Sequence, residues 1–377
     1  MKWLPRIKRF FTLAIPLMVI ANLSLHQAPP PLATCTAEQV AQAVLPDYAP
    51  TETGGFVRIE DGFFSIAGER FVARGVNYFP AQYPWRRFLT ATNPQTLQTE
   101  FALLRDAGLN TLRIFLWYEA LFDCPGSSVV PNVENVVRLD GIIHEAAAHN
   151  LRLILTLNDG PDLTQYPLYD GPSFAALQTE WIVSRYRDEP AILAWDLRNE
   201  GDIDYGSRDG IFGQKFSRGR VLDWLAQEAA RVRRVDSNHL VTAGWLFDSL
   251  ATEPYVDFLS FHHWWDAADA AQRVAEMRAA TDKPILMEEV GYSTYVVTPE
   301  DQAENLQELI DMAEGEGLLG WLVWTAFDFP LTATCWPPPC VDAENQEHHF
   351  GLWMADYVPK PAVTVIRNQN GAATPSE

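Results

Sequence analysis

With 377 residues, 47% of them hydrophobic, the chain can fill one large packed body such as a closed α/β barrel, which needs about 250 residues or more. A net charge of −21 argues against nucleic acid and anionic membrane surfaces as partners, because both repel an acidic protein. An uncharged ligand fits that balance.

Lys2, Arg6, Lys8 and Arg9 precede an apolar stretch from Phe10 to Ile20, and Val19-Ile20-Ala21 ends in a small residue. That is the pattern of an export signal, so residues 1–21 are read as a signal peptide and the chain as secreted. The rival is an uncleaved anchor, although the apolar run extended to Leu25 falls short of the ~20 residues of a membrane span. Lipid attachment at Cys35 is a third reading, set against by Thr34 where a smaller residue is usual. Residues 22–53 are rich in Pro, Ala and Thr, include Pro29-Pro30-Pro31, and read as a linker. The folded body is expected over 54–377.

Phe56 to Phe71 reads as a hairpin region, turning at Asp61-Gly62 and at Gly68. A regular alternation follows. Strand-like runs are expected at 71–78, 110–117, 151–158, 192–199, 239–245, 256–262, 284–290 and 318–325. Between them lie helical patterns. Asn93-Pro94 supplies a cap and a first-turn proline, Leu97, Phe101 and Leu104 an apolar face, and Gly108 a stop. Only the fifth connection, 247–255, is too short for more than a turn of helix. Eight strands alternating with helices predict an α/β fold, a closed (β/α)8 TIM barrel with an N-terminal hairpin. No Gly-rich phosphate loop follows the first strand, as an open doubly wound sheet would usually have.

In such a barrel the chemistry lies at the C-terminal strand ends. Asn77, Arg113, Asn158, Asn199, Glu200, His262, Glu289 and Trp324 end these runs. Any one alone is more often a rim salt bridge or a packing residue; their recurrence on strand after strand makes a site. Ala-Trp-Asp-Leu-Arg-Asn-Glu ends at Glu200, and Lys-Pro-Ile-Leu-Met-Glu-Glu-Val-Gly holds Glu288 and Glu289. Two carboxyl groups facing each other across a cleft are the minimum equipment for cleaving a glycosidic bond. Strand alternation allows one of Glu288 and Glu289 into the cleft, and Glu289 is preferred, leaving Glu288 a rim or supporting acid. No metal-binding spacing occurs, and adjacent His262 and His263 face opposite ways, so neither a metal nor another cofactor is expected. Of the four cysteines, Cys335 and Cys340 close a short loop and form the preferred pair, with Cys35 and Cys124 as a second candidate pair.

The motifs Arg-Gly-Val-Asn-Tyr-Phe (74–79), Gly-Leu-Asn-Thr-Leu-Arg (108–113), Trp195 to Glu200, Lys283 to Gly291, Gly320 to Trp324 and Phe350 to Trp353 have a common pattern. Over residues 56–366 the chain resembles glycoside hydrolase family 5 and its clan A relatives, the retaining (β/α)8 hydrolases of the cellulase and β-mannanase type. The resemblance implies Glu200 as general acid/base and Glu289 as nucleophile. It implies Asn199 on the sugar 2-hydroxyl, Arg113 holding Glu289 ionised, Trp324 beneath the sugar, and His262 as the histidine of the sixth strand. Two positions depart from the family: Asn158 stands where His is usual, and Trp264 where Tyr is usual, with Tyr292 or His263 as substitutes for that Tyr. The expected substrate is a neutral β-1,4-mannan or β-glucan cut mid-chain, Trp117, Trp245, Trp264, Trp265 and Trp336 being candidate sugar platforms. An exo-acting β-glycosidase or transglycosylase is the alternative within this chemistry, and a non-catalytic carbohydrate-binding barrel the alternative outside it. A monomer without an obligate protein partner is expected.

Overall fold

A computed structural model describes residues 33–124, 126–127, 129–159, 168–169, 174–206, 215–335 and 343–371. The expected signal peptide, Trp336 and the Cys335–Cys340 pairing, through Cys340, fall outside the described residues.

Three short antiparallel strands come first: β1 Arg58–Glu60, β2 Phe63–Ile66 and β3 Glu69–Phe71. Their two-residue turns, Asp61-Gly62 and Ala67-Gly68, have positive φ at both positions, the twist that joins adjacent strands tightly. The parallel sheet consists of β4 Ala73–Asn77, β5 Thr111–Phe115, β6 Arg152–Thr156, β7 Ile192–Asp196, β8 Leu240–Thr242, β9 Gly244–Trp245, β10 Leu259–His263, β11 Ile285–Val290 and β12 Gly320–Trp324. β8 and β9 are one strand interrupted at Ala243. Because β8 pairs with β7 and β9 with β10, the sheet closes into an eight-strand barrel. All eight expected strands are present. The fifth connection is a 3₁₀ segment, Ser249–Tyr255, as its shortness predicted.

Inward residues Ile154, Ala194, Leu286 and Leu322 fill the barrel axis, and Val57 and Phe64 of the hairpin region cover one end, Phe64 meeting Phe258 edge-on at 5.1 Å. The outer faces carry helices. Asn93 caps Pro94–Asp106, whose Leu97, Phe101 and Leu104 are buried; Leu306, Leu309 and Ala313 do the same for Pro299–Gly315. Each of these Leu and Phe side chains contributes about 1.5–3 kcal/mol of burial. With the hairpin region covering the end where the strands begin, the C-terminal rim is the face left for chemistry.

The segment read as a linker is fixed to the barrel over its described part. A capped helix, Ala37–Gln42, follows Cys35, which is bonded to Cys124 across 89 residues. Leu45 and Tyr48 pack on the core, Tyr48 Oη donates to Glu189 at 2.6 Å, and the Thr51 amide donates to the same carboxylate at 2.8 Å. Low sequence complexity concealed this because the partners are distant in sequence. Replacing Cys35 by Ser should lower stability by about 2–4 kcal/mol, read as a fall in denaturation midpoint with no change in the far-UV spectrum of the native protein.

Candidate active site

The centre of the rim is Arg113, fully buried on β5. Its Nε and Nη2 donate to Asp196 Oδ2 at 3.0 and 2.7 Å. Nη1 donates to Asn77 Oδ1 and to Glu289 Oε2, both at 2.9 Å. Nη2 also reaches Asn199 Oδ1 at 2.9 Å. Five N–H groups in a rigid fork suit this; a lysine would not span four strands. With its Oδ1 accepting from Arg113, Asn199 lines the cleft.

Glu200 follows β7 at φ 45°, in the left-handed region that non-glycine residues seldom adopt. Its amide donates to Gly244 O at 2.8 Å and its carbonyl accepts from Ile203 as a 3₁₀ turn begins. That turn swings the carboxyl toward His262, whose Nδ1 lies 3.0 Å from Glu200 Oε1 and 3.7 Å from Glu289 Oε1. Carboxylate oxygens of Glu200 and Glu289 and a ring nitrogen of His262 all lie within 4.8 Å of one another. The same donors would suit a cation in an open site, but here each is engaged by a neighbour: Glu289 by Arg113, Glu200 by His262.

The electrostatics differ from the simplest expectation of a low-pKa nucleophile beside a high-pKa acid. Burial, then the charge of Glu200, push Glu289 up to about 7 against the opposing pull of His262 and Arg113. Burial alone would raise Glu200 too, but the hydrogen bond and charge of His262 hold it below the ordinary carboxylate range. His262 is itself pushed up to about 10: burial opposes its charge, and Glu289, Glu200 and Glu288 overcome that. The contact between Glu200 and His262 is therefore that of a carboxylate held down and a ring pushed up, across one hydrogen bond of 3.0 Å.

Strict strand alternation does not hold at Glu288 and Glu289. β10 and β11 pair Phe261 with Met287 and then His262 with Glu289, skipping Glu288. This irregularity breaks the strict two-residue period. Glu288 shares the inward face of Leu286 and lies wholly buried inside the barrel mouth, neither on the rim nor on the outer face. Glu289 alone of the two lines the cleft.

That cleft, about 590 Å³, is lined by Asn199, Glu200, Glu289, Trp264, Trp265 and Trp324, with Phe247, Gln346, Glu347 and Phe350 completing its wall. Trp324 is half-buried and held from behind by Trp85, stacked at 6.2 Å and 20°. Beyond Trp85 a second cavity of about 520 Å³ is bounded by Trp85, Trp117 and Arg86. Trp264 meets Phe350 at 5.5 Å.

Other expected residues lie elsewhere. Asn158 is buried behind the site; its Nδ2 is 3.5 Å from Thr179, Leu197 O and Glu228, and its carbonyl accepts from Arg198. Neither proposed substitute for the missing tyrosine reaches Glu289. Tyr292 Oη donates to Trp265 O at 2.6 Å, and His263 Nε2 bonds Asp266 O at 3.0 Å. Trp245 is fully buried, packed beside Gly201 as core rather than platform. Three residues were overlooked: Asp196, Trp85 and Glu347, which is hydrogen-bonded to Trp324. Asp196 was findable, because it shares the inward phase of Ala194, where a carboxylate demands a cation.

No family model matches the chain. Among curated proteins it is 27% identical over 301 residues to mannan endo-1,4-beta-mannosidase F of Aspergillus clavatus, covering 64% of this chain and 65% of that protein. Among solved structures it matches a GH5_18 protein of Streptomyces cattleya in complex with Manb1-4GlcNAc, with TM-score 0.68, 18% identity, and 81% and 82% of the two chains covered. It also matches the exo-beta-1,4-mannosidase Op5Man5 of an Opitutaceae bacterium, with TM-score 0.66, 20% identity, and 84% and 62% covered. The chain resembles the family 5 glycoside hydrolases. The resemblance drawn from its motifs thus has counterparts in both sequence and fold. The chain spans just under two thirds of the length of its curated fungal relatives. Among the described residues no helix is long and apolar enough to cross a membrane.

Proposed function

We propose that the protein is a secreted retaining β-glycoside hydrolase acting on β-1,4-mannosidic linkages, cutting within the chain. The observation that carries this is the approach of Glu200 and Glu289 oxygens within 4.8 Å over one aromatic cleft. Retaining enzymes hold their carboxyl groups about 5–5.5 Å apart, and inverting ones about 6.5–9.5 Å. Glu289, held by Arg113, attacks the anomeric carbon while the Glu200–His262 unit gives its proton to the departing glycosidic oxygen. Water then attacks the glycosyl-Glu289 ester, Glu200 takes the water's proton, and Glu289 is released. Mannan is favoured over glucan by the names of the sequence relatives. Internal cleavage is favoured by aromatic surface that extends beyond one sugar site: Trp264, Trp265 and Trp324 line the cleft, and Trp85, stacked on Trp324, bounds a second cavity with Trp117.

Incubation with mannan, glucans, xylan and aryl β-glycosides tests this. A ladder of mannooligosaccharides with rapid loss of viscosity is expected. Mannose alone, released from chain ends, would favour the exo reading, for which the Op5Man5 likeness is the supporting observation. Binding without turnover would leave the carbohydrate-binding barrel.

The pH profile has a definite sign. Glu289 attacks only as an anion, and its pKa is raised to about 7, so kcat/KM should fall as pH drops through about 7 rather than through the usual carboxylate range. Glu200→Gln removes a negative neighbour of Glu289 and should move that acid limb downward. The measurement uses a dinitrophenyl glycoside, which needs no acid assistance.

A further inference from the structure

Glu288 has no task in the mechanism above, yet it lies sealed inside the barrel mouth. Its side chain is fully buried, and among the described residues neither carboxyl oxygen has a hydrogen-bond partner. The facing atom is His262 Nε2, equally buried and equally unpartnered, 3.8 Å from Glu288 Oε2. Glu288 Oε1 lies 3.8 Å from Arg113 Nε. Opposite them is Gly244, where a Cβ would collide with both Glu288 Oε2 and His262 Nε2. Only glycine leaves this space open. Unpaired buried polar atoms are costly, and two that face one another across a gap about 1 Å longer than a hydrogen bond are each other's natural partner.

We propose that Glu288 is a positioning residue that holds a proton on His262 Nε2, so that Nδ1 is the side of the ring that exchanges the catalytic proton with Glu200. The inference rests on the hydrolase reading for its kinetic consequence only; the contact itself does not.

Its logic is that of an imidazole oriented by a carboxylate: which nitrogen is free to exchange is set by what the other one bonds. With Nε2 protonated toward Glu288, Nδ1 at 3.0 Å shares one further proton with Glu200 Oε1. In the first step that proton goes to the glycosidic oxygen as the C1–O bond breaks and the Glu289–C1 bond forms. In the second, the water's proton returns to Glu200 as its oxygen bonds C1 and the ester breaks. The Nε2 proton stays in place throughout. The charges facing the ring are Glu200, Glu288 and Glu289, with Asp196 paired to Arg113 behind them, and Arg273 donating to the His262 carbonyl at 2.6 Å. The upward push on His262 from these carboxylates supports a ring that keeps its proton.

The test has two arms. In the full protein labelled with ¹⁵N-histidine, the His262 signals, assigned by their loss in His262→Gln, should show Nε2 protonated from pH 5 to 9. A neutral ring carrying its proton on Nδ1 at pH 7 overturns the inference, whatever the activity. In the second arm, Glu288→Gln, checked for fold by thermal unfolding, should lose about 10-fold or more in kcat on mannan with KM little changed. Its basic limb should move down by about one pH unit, and turnover of dinitrophenyl β-mannoside should be spared. Equal loss on both substrates with an unmoved limb would mark Glu288 as merely structural. A wild type inactive on every glycoside but with Nε2 protonated would sink the hydrolase reading and leave this contact standing.

Discussion

Glu289→Ala should abolish turnover of every β-glycoside, with kcat falling about 10⁴-fold or more while the fold and the binding of mannooligosaccharides persist. The size follows from what is lost. Glu289 supplies the oxygen that bonds the anomeric carbon, and among the described residues lining the cleft it is the carboxylate held by Arg113: Glu200 pairs with His262, Glu347 interacts with Trp324, and Glu288 is sealed behind the cleft. The variant also removes one of the anions around Arg113, leaving Asp196 to pair with the guanidinium, so the protein should fold. Azide, small and anionic, fits the space vacated by the carboxyl and should restore part of the rate with activated aryl glycosides, giving an α-glycosyl azide. That stereochemistry is the decisive readout, because it places the incoming nucleophile on the face Glu289 occupied. Near wild-type turnover in this variant would end the assignment of Glu289.

Features written in local sequence were legible beforehand. Asn93-Pro94 starts a helix because its cap and its first-turn proline act on adjacent residues, and Asp61-Gly62 turns a hairpin for the same reason. The strand ends that carry Arg113, Asn199, Glu200, His262 and Glu289 were legible because a parallel barrel delivers all of them to one rim. Contacts set by distant packing were not. Glu189 anchors Tyr48 and Thr51 from about 140 residues away, so a segment with linker composition became part of the body. Asp196 was legible as an inward carboxylate in phase with Ala194, but its partner, Arg113 two strands away, was not. Glu288 keeps the inward phase of Leu286, whereas the cleft position of Glu289 depends on a break in strand register, which no periodicity argument foresees. Tyr292 and Asn158 sit at the right places along their strands, yet their side chains turn to Trp265 and to the Thr179–Glu228 layer.

Glu200→Ala should divide substrates by leaving group. On mannan, where the departing alkoxide needs a proton, the rate should fall by about 10²–10⁴-fold, the usual worth of a positioned acid. On dinitrophenyl β-mannoside, whose leaving group departs unaided, the first step should proceed, and the glycosyl-enzyme should then accumulate because water has lost its base. A burst of dinitrophenol followed by slow turnover is the expected trace, and azide should accelerate the slow phase because it attacks without general-base help, giving a β-glycosyl azide. Its partly open setting suits Glu200 to both steps: its side chain remains 19% exposed, against 6% for Glu289 and none for Glu288. A group that gives its proton to one oxygen and takes one from another must meet both the leaving sugar and incoming water. His262, fully buried, can lend Glu200 a proton but cannot reach either reactant. If Glu200→Ala slowed both substrates equally and showed no burst, the proton would have to come from elsewhere in the cleft, and the acid/base role would be lost with it.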